Sequence, residues 1–304
     1  MIWQIEIRGF ENHLKLERGL SPNTLTAYRM DVQKLADFIE EEAGGVSPQK
    51  VVLEHLKQFI SSLQPQGISS RSQSRIISGI KAFFKYLLLE KLISEDPSEL
   101  LEAPKIGMKL PVTLSIEEVD LIMATIDLSR PQATRDRAML EVLYGCGLRV
   151  SELCELLVSN LHLKEGFVKV IGKGDKERLA PIGGQAVKHL KLYLENDRVH
   201  RDLKRGFEDH VFLNHHGRKI SRVSVFNIIK KLCEQAGIRK NVSPHTFRHS
   251  FATHLVQGGA DLRAVQEMLG HESITTTEIY SHLDREYLRS AIIDFHPLER
   301  GGDD

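Results

Sequence analysis

Pro244-His245-Thr246-Phe247-Arg248-His249 decides the reading of this chain, together with Gly270-His271 and, further on, Tyr280 in Thr275-Thr276-Thr277-Glu278-Ile279-Tyr280-Ser281-His282. His245 and Arg248 stand three apart, so a helix projects them from one face. Gly270 marks a helix stop and puts His271 at the mouth of the next element. Imidazoles, a guanidinium and a phenol in so short a stretch suit phosphate chemistry with a covalent tyrosine. Metal binding is the first alternative, because His245 and His249 are four apart. Zinc-hydrolase helices of that spacing place a glutamate base between the histidines, whereas here Thr246, Phe247 and Arg248 intervene. No paired carboxylates lie nearby for magnesium. The expectation is no metal and no cofactor. Taken singly, each of these histidines and the tyrosine is more often a hydrogen-bonded structural group than a catalyst.

The 304 residues are 41% hydrophobic, enough for one large domain or two ordinary ones. Aromatic residues are few and long aliphatic ones common, which leans towards helix. A formal net charge of +0 counts against a nucleic-acid binder, since such domains are often basic overall. A basic face balanced by acids elsewhere is still compatible, so any such argument must rest on local charge. Cys146, Cys154 and Cys233 form neither a C-x-x-C pair nor an even set and read as free thiols in a reducing compartment. No apolar run approaches the ~20 residues of a membrane span, and Met1 to Glu6 has no basic region leading into an apolar core. A soluble cytoplasmic protein without membrane insertion is expected.

The first hundred residues read as four helices. The first runs from about Ile5 to Glu17. Ser21-Pro22 is a helix start, with serine at the N-cap and proline at the first helical position. Leu25, Tyr28, Val32, Leu35 and Ile39 then recur at helical spacing. Ser47-Pro48 repeats the start signal for a third helix that buries Leu53, Leu56 and Ile60. The fourth, about Ser70 to Lys91, buries Ile76, Ile80, Phe83, Phe84 and Leu87 and turns Arg71, Arg75, Lys81 and Lys85 to the opposite face. Most charged helix faces are simply solvated. A face of one sign repels itself, and a phosphate backbone is its natural partner. This unit, residues 1–95, shows no catalytic cluster, so binding is its expected role. Pro97, Pro104, Gly107 and Pro111 then break regular structure, which reads 96–112 as a linker.

The second domain, 113–304, opens with the capping box Ser115-Ile116-Glu117-Glu118. A helix over about Thr134 to Tyr144 runs into Gly145-Cys146-Gly147-Leu148-Arg149-Val150-Ser151-Glu152-Leu153. The glycines break it, Ser151-Glu152 begins another, and Arg149 is displayed near the new N-terminus, where amides also attract anions. A lone arginine there is more often structural than catalytic. Phe167 to Ile171 and Arg178 to Ile182 form a β-hairpin around Gly172-Lys173-Gly174-Asp175-Lys176. Lys173 rides near its tip, where lysines are ordinarily just solvated, and the turn lacks the ending of a nucleotide P-loop. Helical spacing returns over about Gly184 to Glu195 and Val223 to Ala236. It recurs from Leu262 to Leu269 and from Arg285 to Ile292, and His215-His216-Gly217 reads as an exposed turn.

Metal-free phosphoryl transfer needs cations on the non-bridging oxygens, a nucleophile and an acid for the leaving group. Arg149 and Arg248 would hold the oxygens bidentately, and His245 and His271 would add hydrogen bonds or move a proton. A tyrosine titrating near ~10 is scarcely ionised at neutral pH, so it needs such cations to lower its pKa. Lys173 suits protonation of an alkoxide.

These motifs, in this order, resemble the tyrosine recombinases of the phage-integrase type, and among them the bacterial Xer site-specific recombinases. The family's arginine motif is matched by Gly147 to Leu153 with Arg149, its hairpin lysine by Lys173, and its H-x-x-R box by His245-Thr246-Phe247-Arg248. Its second histidine is matched by His271, its nucleophile by Tyr280, and its amino-terminal signature by Ser21 to Tyr28. The likeness spans nearly the whole chain. The tail beyond Pro297 departs from it, being longer and more acidic at its end.

The resemblance implies a mainly α fold, with an N-terminal four-helix DNA-binding domain and a mostly helical catalytic domain carrying a small β-hairpin or sheet. It also implies a clamp on duplex DNA, a synaptic tetramer with itself or a Xer paralogue, and a 3′-phosphotyrosine on Tyr280 that needs neither ATP nor metal. A C-terminal helix docked into a neighbouring subunit, a dif-like site where chromosome dimers are resolved, and control by a septal DNA translocase belong to the same expectation. The alternatives are an integrase or resolvase of a mobile element, a non-catalytic DNA-binding protein of the same fold, and a metal-dependent nuclease.

Overall fold

In the computed structural model, all residues are described except Met1, Gln64, Gln66, 105–111, 173–175, 271–281 and 301–304, with backbone only for Ile2, 282–286 and Arg300. The chain divides into two compact units, Met1–Lys109 and Leu110–Asp304.

The first unit contains α1 (Ile2–Leu16), α2 (Pro22–Glu42), α3 (Leu53–Leu63) and α4 (Ser70–Leu89). Ser21 caps α2 by accepting from the Thr24 amide at 3.3 Å, with Pro22 at the first position, as the Ser-Pro signal predicts. The second Ser-Pro behaves differently. Pro48–Lys50 makes only a 3-10 turn, and α3 starts later, at Leu53. The intervening Val51 is extended and buried, and the Val52 amide is satisfied by His55 Nδ1 at 3.3 Å. Phe10, Val32, Leu35, Ile39, Leu56, Ile80, Phe83, Phe84 and Leu87 form the fully buried centre. The chain past α4 is not a free linker from Asp96 onward, because Ser98 and Leu101 are buried and Leu101 joins this core. Residues 105–111 lie outside the described ones.

The second unit begins with α5 (Ile116–Ala124), whose capping box forms as the sequence predicts. It continues through α6 (Ala133–Gly145), α7 (Val150–Cys154), β1 (Leu161–His162), β2 (Phe167–Ile171) and β3 (Glu177–Pro181). Then follow α8 (Gly184–Asn196), α9 (Arg222–Gln235), α10 (Pro244–Gly258), α11 (Leu262–Leu269), α12 (His282–Phe295) and α13 (Pro297–Arg300). The sheet is antiparallel in the order β1-β2-β3, with Val168 opposite Ala180. Strand β1 is an addition to the expected hairpin; it is two residues long, too short to leave an alternating pattern. Helix α6 is the axle of the unit, buried from Ala138 through Gly145, and packs on α8 and α10. The aliphatic bias of the sequence is spent here, on a helix with almost no solvent face.

The C-terminal segment, which the family resemblance expects to dock on a neighbouring subunit, packs on its own unit in this chain. Leu288, Ala291 and Ile292 enter the core, and His296 sits 4.8 Å from the Tyr144 ring centroid and 5.6 Å from that of Phe251. The Glu299 carboxylate meets the first turn of α8, 3.4 Å from the Gln185 amide. Negative charge is favoured there by the unpaired amides of the helix N-terminus. Burial, with the neighbouring His254, holds the His296 imidazole down to about 3.

His296 therefore stays neutral in the fold, while the same imidazole in the unfolded chain takes up a proton below its ordinary 6.5. Stability is complete above that value and falls as pH drops towards 3, by about 2 kcal/mol at pH 5. Urea melts at pH 7 and pH 5 should show this loss, and the drop between the two pH values should be smaller in His296→Phe by about that amount. The share of His189, which burial and Arg137 lower to about 4, should remain in the variant.

Candidate active site

The break after α6 creates the site. Gly147 has φ +57, and a β-carbon there would overlap the Phe251 ring, so only glycine allows this turn against α10. The chain passes through buried Leu148 and places Arg149 as the extended N-cap of α7. This is the display near a helix N-terminus that the Gly-Cys-Gly pattern predicts. The Arg149 amide donates to Glu152 Oε2 at 2.7 Å, and its Nη1 donates to Glu152 Oε1 at 2.8 Å.

Glu152 is the hub. Its side chain is 2% exposed and is gripped from the sheet by Arg178, with Nη1 donating to Oε1 at 2.6 Å and Nη2 to Oε2 at 2.9 Å. Arg248 Nη1, from α10, lies 3.8 Å from Oε2. Burial disfavours the Glu152 carboxylate, but the hydrogen bonds and charges of Arg178 and Arg149 outweigh it and hold the carboxyl below its ordinary range.

The same three arginines close the end of α11. Its last carbonyls have no partners within the helix and stand at the negative end of its dipole. Arg178 Nε donates to Met268 O at 3.0 Å, Arg248 Nη2 to Leu269 O at 2.5 Å, and Arg149 Nη2 to Gly270 O at 3.2 Å. Arg248 Nη1 also donates to Gly147 O at 2.7 Å. Gly270, at φ +63, ends the helix as its sequence position predicts, and a β-carbon there would lie 2.9 Å from Arg178 Cδ. Among the described residues three guanidiniums face one carboxylate, so two positive charges are in excess there. Burial, then the Arg149 charge and that of Arg178, push Arg248 down to about 10 against the pull of Glu152. It is still protonated at neutral pH. Arg149 is the outermost, with its side chain 39% exposed against 8% for each of the others, so the excess charge opens to solvent on its side.

His245 is exposed in the first turn of α10. With Arg248 and His249 it lines a cleft of about 430 Å³ between α10 and α11, walled otherwise mainly by apolar residues such as Ala252, Val265 and Leu269. The structure thus brings Arg149 and Arg248 together and sets His245 on the same cleft as Arg248. Lys173, His271 and Tyr280 lie outside the described residues. Of their chain neighbours, Gly172 bonds Lys176 O at 2.7 Å across the hairpin, and a β-carbon at Gly172 would lie 3.7 Å from Glu152 Oε1.

On the basic face of α4, Arg71, Arg75 and Lys85 are exposed; Arg75 also donates through Nη1 to the buried Asp31 of α2, and Lys81 Nζ donates to Glu99 O at 3.1 Å. The acid that balances Arg75 comes from another helix and is invisible to spacing along α4. Burial raises the Asp31 carboxyl against the opposing pull of Arg75.

Sequence reasoning missed Glu152 and Arg178. Glu152 read only as a helix opener. Arg178 read only as a strand residue, although it alternates with buried Ala180, and a charge at an inward strand position demands a partner.

A charged arginine cluster partly open to solvent suits the binding of a phosphate, and comparison with known proteins gives the class. Residues 113–286 match the phage integrase family, and residues 7–91 match its N-terminal SAM-like domain. Tyrosine recombinase XerD of Chlorobaculum tepidum is 43% identical over 298 residues, covering 97% of each chain. Tyrosine recombinase XerD of Listeria monocytogenes serotype 4b is 41% identical over 291 residues, covering 96% of this chain and 98% of its own. Among solved structures, XerH site-specific recombinase in a post-cleavage complex with a palindromic difH substrate is 25% identical with a TM-score of 0.67, covering 94% of this chain and 84% of that one. The chain belongs to the phage integrase family and is a tyrosine site-specific recombinase of the XerD-like kind.

The turn at Gly147 gives a direct check of how tightly the site is built. Gly147→Ala should cost roughly 2–4 kcal/mol, since it combines a left-handed backbone with an overlap against Phe251. Gly237→Ala, at φ +70 with nothing within 4 Å, should cost only about 1 kcal/mol. Urea melts of the two variants measure the difference.

Proposed function

We propose that this recombinase cuts and rejoins duplex DNA with Tyr280 as the nucleophile, and that it resolves chromosome dimers at a dif-like site during segregation and cell division. The observation that carries the chemistry is the Arg149 and Arg248 pair, held by Glu152 and the α11 carbonyls; with Arg178 on the same carboxylate, the cluster of described residues carries two positive charges in excess. Bonds to described residues use two of the five N–H donors on each guanidinium. The remaining donors would take the non-bridging oxygens of the scissile phosphate and stabilise the charge that builds as phosphorus becomes five-coordinate.

In this reading the Tyr280 oxygen attacks phosphorus, and the bond from phosphorus to the 5′ oxygen breaks. The 5′ oxygen leaves as a hydroxyl with a proton from Lys173, and the 3′ end stays on the tyrosine. The 5′ hydroxyl of a partner strand then attacks the phosphotyrosine, and the tyrosine oxygen recovers a proton. His245 and His271 would hydrogen-bond the phosphate or carry the tyrosine proton. Each step exchanges one phosphoester for another, so no ATP or metal enters.

The reading supposes a clamp on duplex DNA by both units, four subunits of this chain or of this chain with a Xer paralogue, control by a septal DNA translocase, and action on the chromosome in the cytoplasm. The XerD relatives and the difH complex of XerH support the assignment to a dif-like site. The tail that packs on its own unit would, in a tetramer, exchange its own socket for a neighbour's.

On a nicked suicide duplex carrying the site recovered from cells, the protein should become covalently attached to DNA, with or without excess chelator. Tyr280→Phe should form no adduct, and an adduct from that variant would remove Tyr280 from the role. For the first unit, Arg71→Ala with Lys85→Ala should weaken binding and flatten its salt dependence by about two phosphate contacts. An unchanged slope would turn that face to solvent.

A further inference from the structure

We infer that Arg178 is a positioning residue for strand cleavage: by taking both oxygens of Glu152 and the carbonyl of Met268, it leaves Arg149 and Arg248 free to serve the phosphate. The inference rests on the strand-cleavage reading above and deepens it.

Glu152 is buried and ionised, and such a carboxylate must be paired. Its natural partners are Arg149, already at 2.8 Å, and Arg248, at 3.8 Å. Were they alone with it, the carboxylate would draw both guanidiniums inward and cancel half of their charge. Arg178 removes that demand. Its fork meets the carboxylate edge-on with two hydrogen bonds at 2.6 and 2.9 Å, the bidentate geometry that gives an arginine its strongest hold. Glu152 then acts as a rigid, largely neutralised bracket for Arg149 rather than as a competitor of the phosphate.

Arg178 is placed to set more than one part of the site. It stands on β3 and pins Met268 O two residues before Gly270. Its Cδ lies where a side chain at Gly270 would go, so this glycine makes room for it directly before His271. At 8% exposure the side chain has no route to DNA, which makes it a support and not a catalytic residue.

The test is single-turnover cleavage of the nicked suicide duplex, with DNA affinity measured by mobility shift, for the wild type, Arg178→Met, Arg178→Lys, Glu152→Gln and the Arg178→Met/Glu152→Gln pair. Arg178→Met should slow cleavage by roughly tenfold or more while affinity changes far less. Removing the carboxylate charge as well should restore part of the rate, so the double variant should cleave faster than Arg178→Met. A residue that merely packs the fold would show no such rescue. Should Arg178→Met fail to fold, Arg178→Lys decides: its single ammonium cannot span both oxygens, so cleavage should slow with affinity retained. Wild-type rates in the arginine variants, or a double variant no faster than Arg178→Met, would overturn the inference and leave the strand-cleavage reading intact. Absence of an adduct from the wild type itself would overturn both.

Discussion

One buried carboxylate holds the catalytic unit's site together. Glu152, on a helix of five residues, is met by arginines from three directions: its own N-cap, the sheet, and α10. The buried charges of Glu152, Arg178 and Arg248 would not be tolerable alone in that place. A buried glutamate needs cations and buried arginines need acceptors, and three of those acceptors are the last carbonyls of α11. The result is a knot in which each charge justifies the others, with the surplus positive among the described residues. Because the knot joins segments far apart in sequence, it forms only when the whole unit folds.

Most of the frame could be read from the sequence because its signals are local. Ser21-Pro22, Ser115 to Glu118 and Gly270 each act within a turn of their own position, and the structure has a helix boundary at each of them. The apolar stripe of α4 is buried as its spacing requires. Ser47-Pro48 misled because a start signal does not guarantee continuation. Pro48–Lys50 stops after one turn, with Val51 packed into the core in extended form.

What the sequence hid is non-local pairing. Arg149 and Arg248 could be paired from the needs of phosphoryl transfer and from resemblance to a family, but nothing in their spacing brings residue 149 to residue 248. Glu152 was in plain view within Gly147 to Leu153 but looked like a helix opener, and Arg178 looked like a strand residue. In the same way, the one-sign face of α4 gave no hint that Asp31 from α2 pairs with Arg75. In both units a buried acid that orients an arginine was the missing piece. The packing of the tail is of the same kind, because His296 earns its burial from Tyr144 and Phe251, more than forty residues away in sequence.

The central claim is that the arginines act on the negative charge of the scissile phosphate. Single-turnover cleavage by wild type and Arg248→Ala, compared on a phosphodiester and on an uncharged methylphosphonate at the scissile position, tests it most directly. On the phosphodiester the variant should be slower by roughly 10²-fold or more, and on the methylphosphonate the two should be nearly equal, since the charge that the arginine offsets is gone. An equal loss on both substrates would contradict the account and leave Arg248 as a structural tie between Gly147 and Leu269.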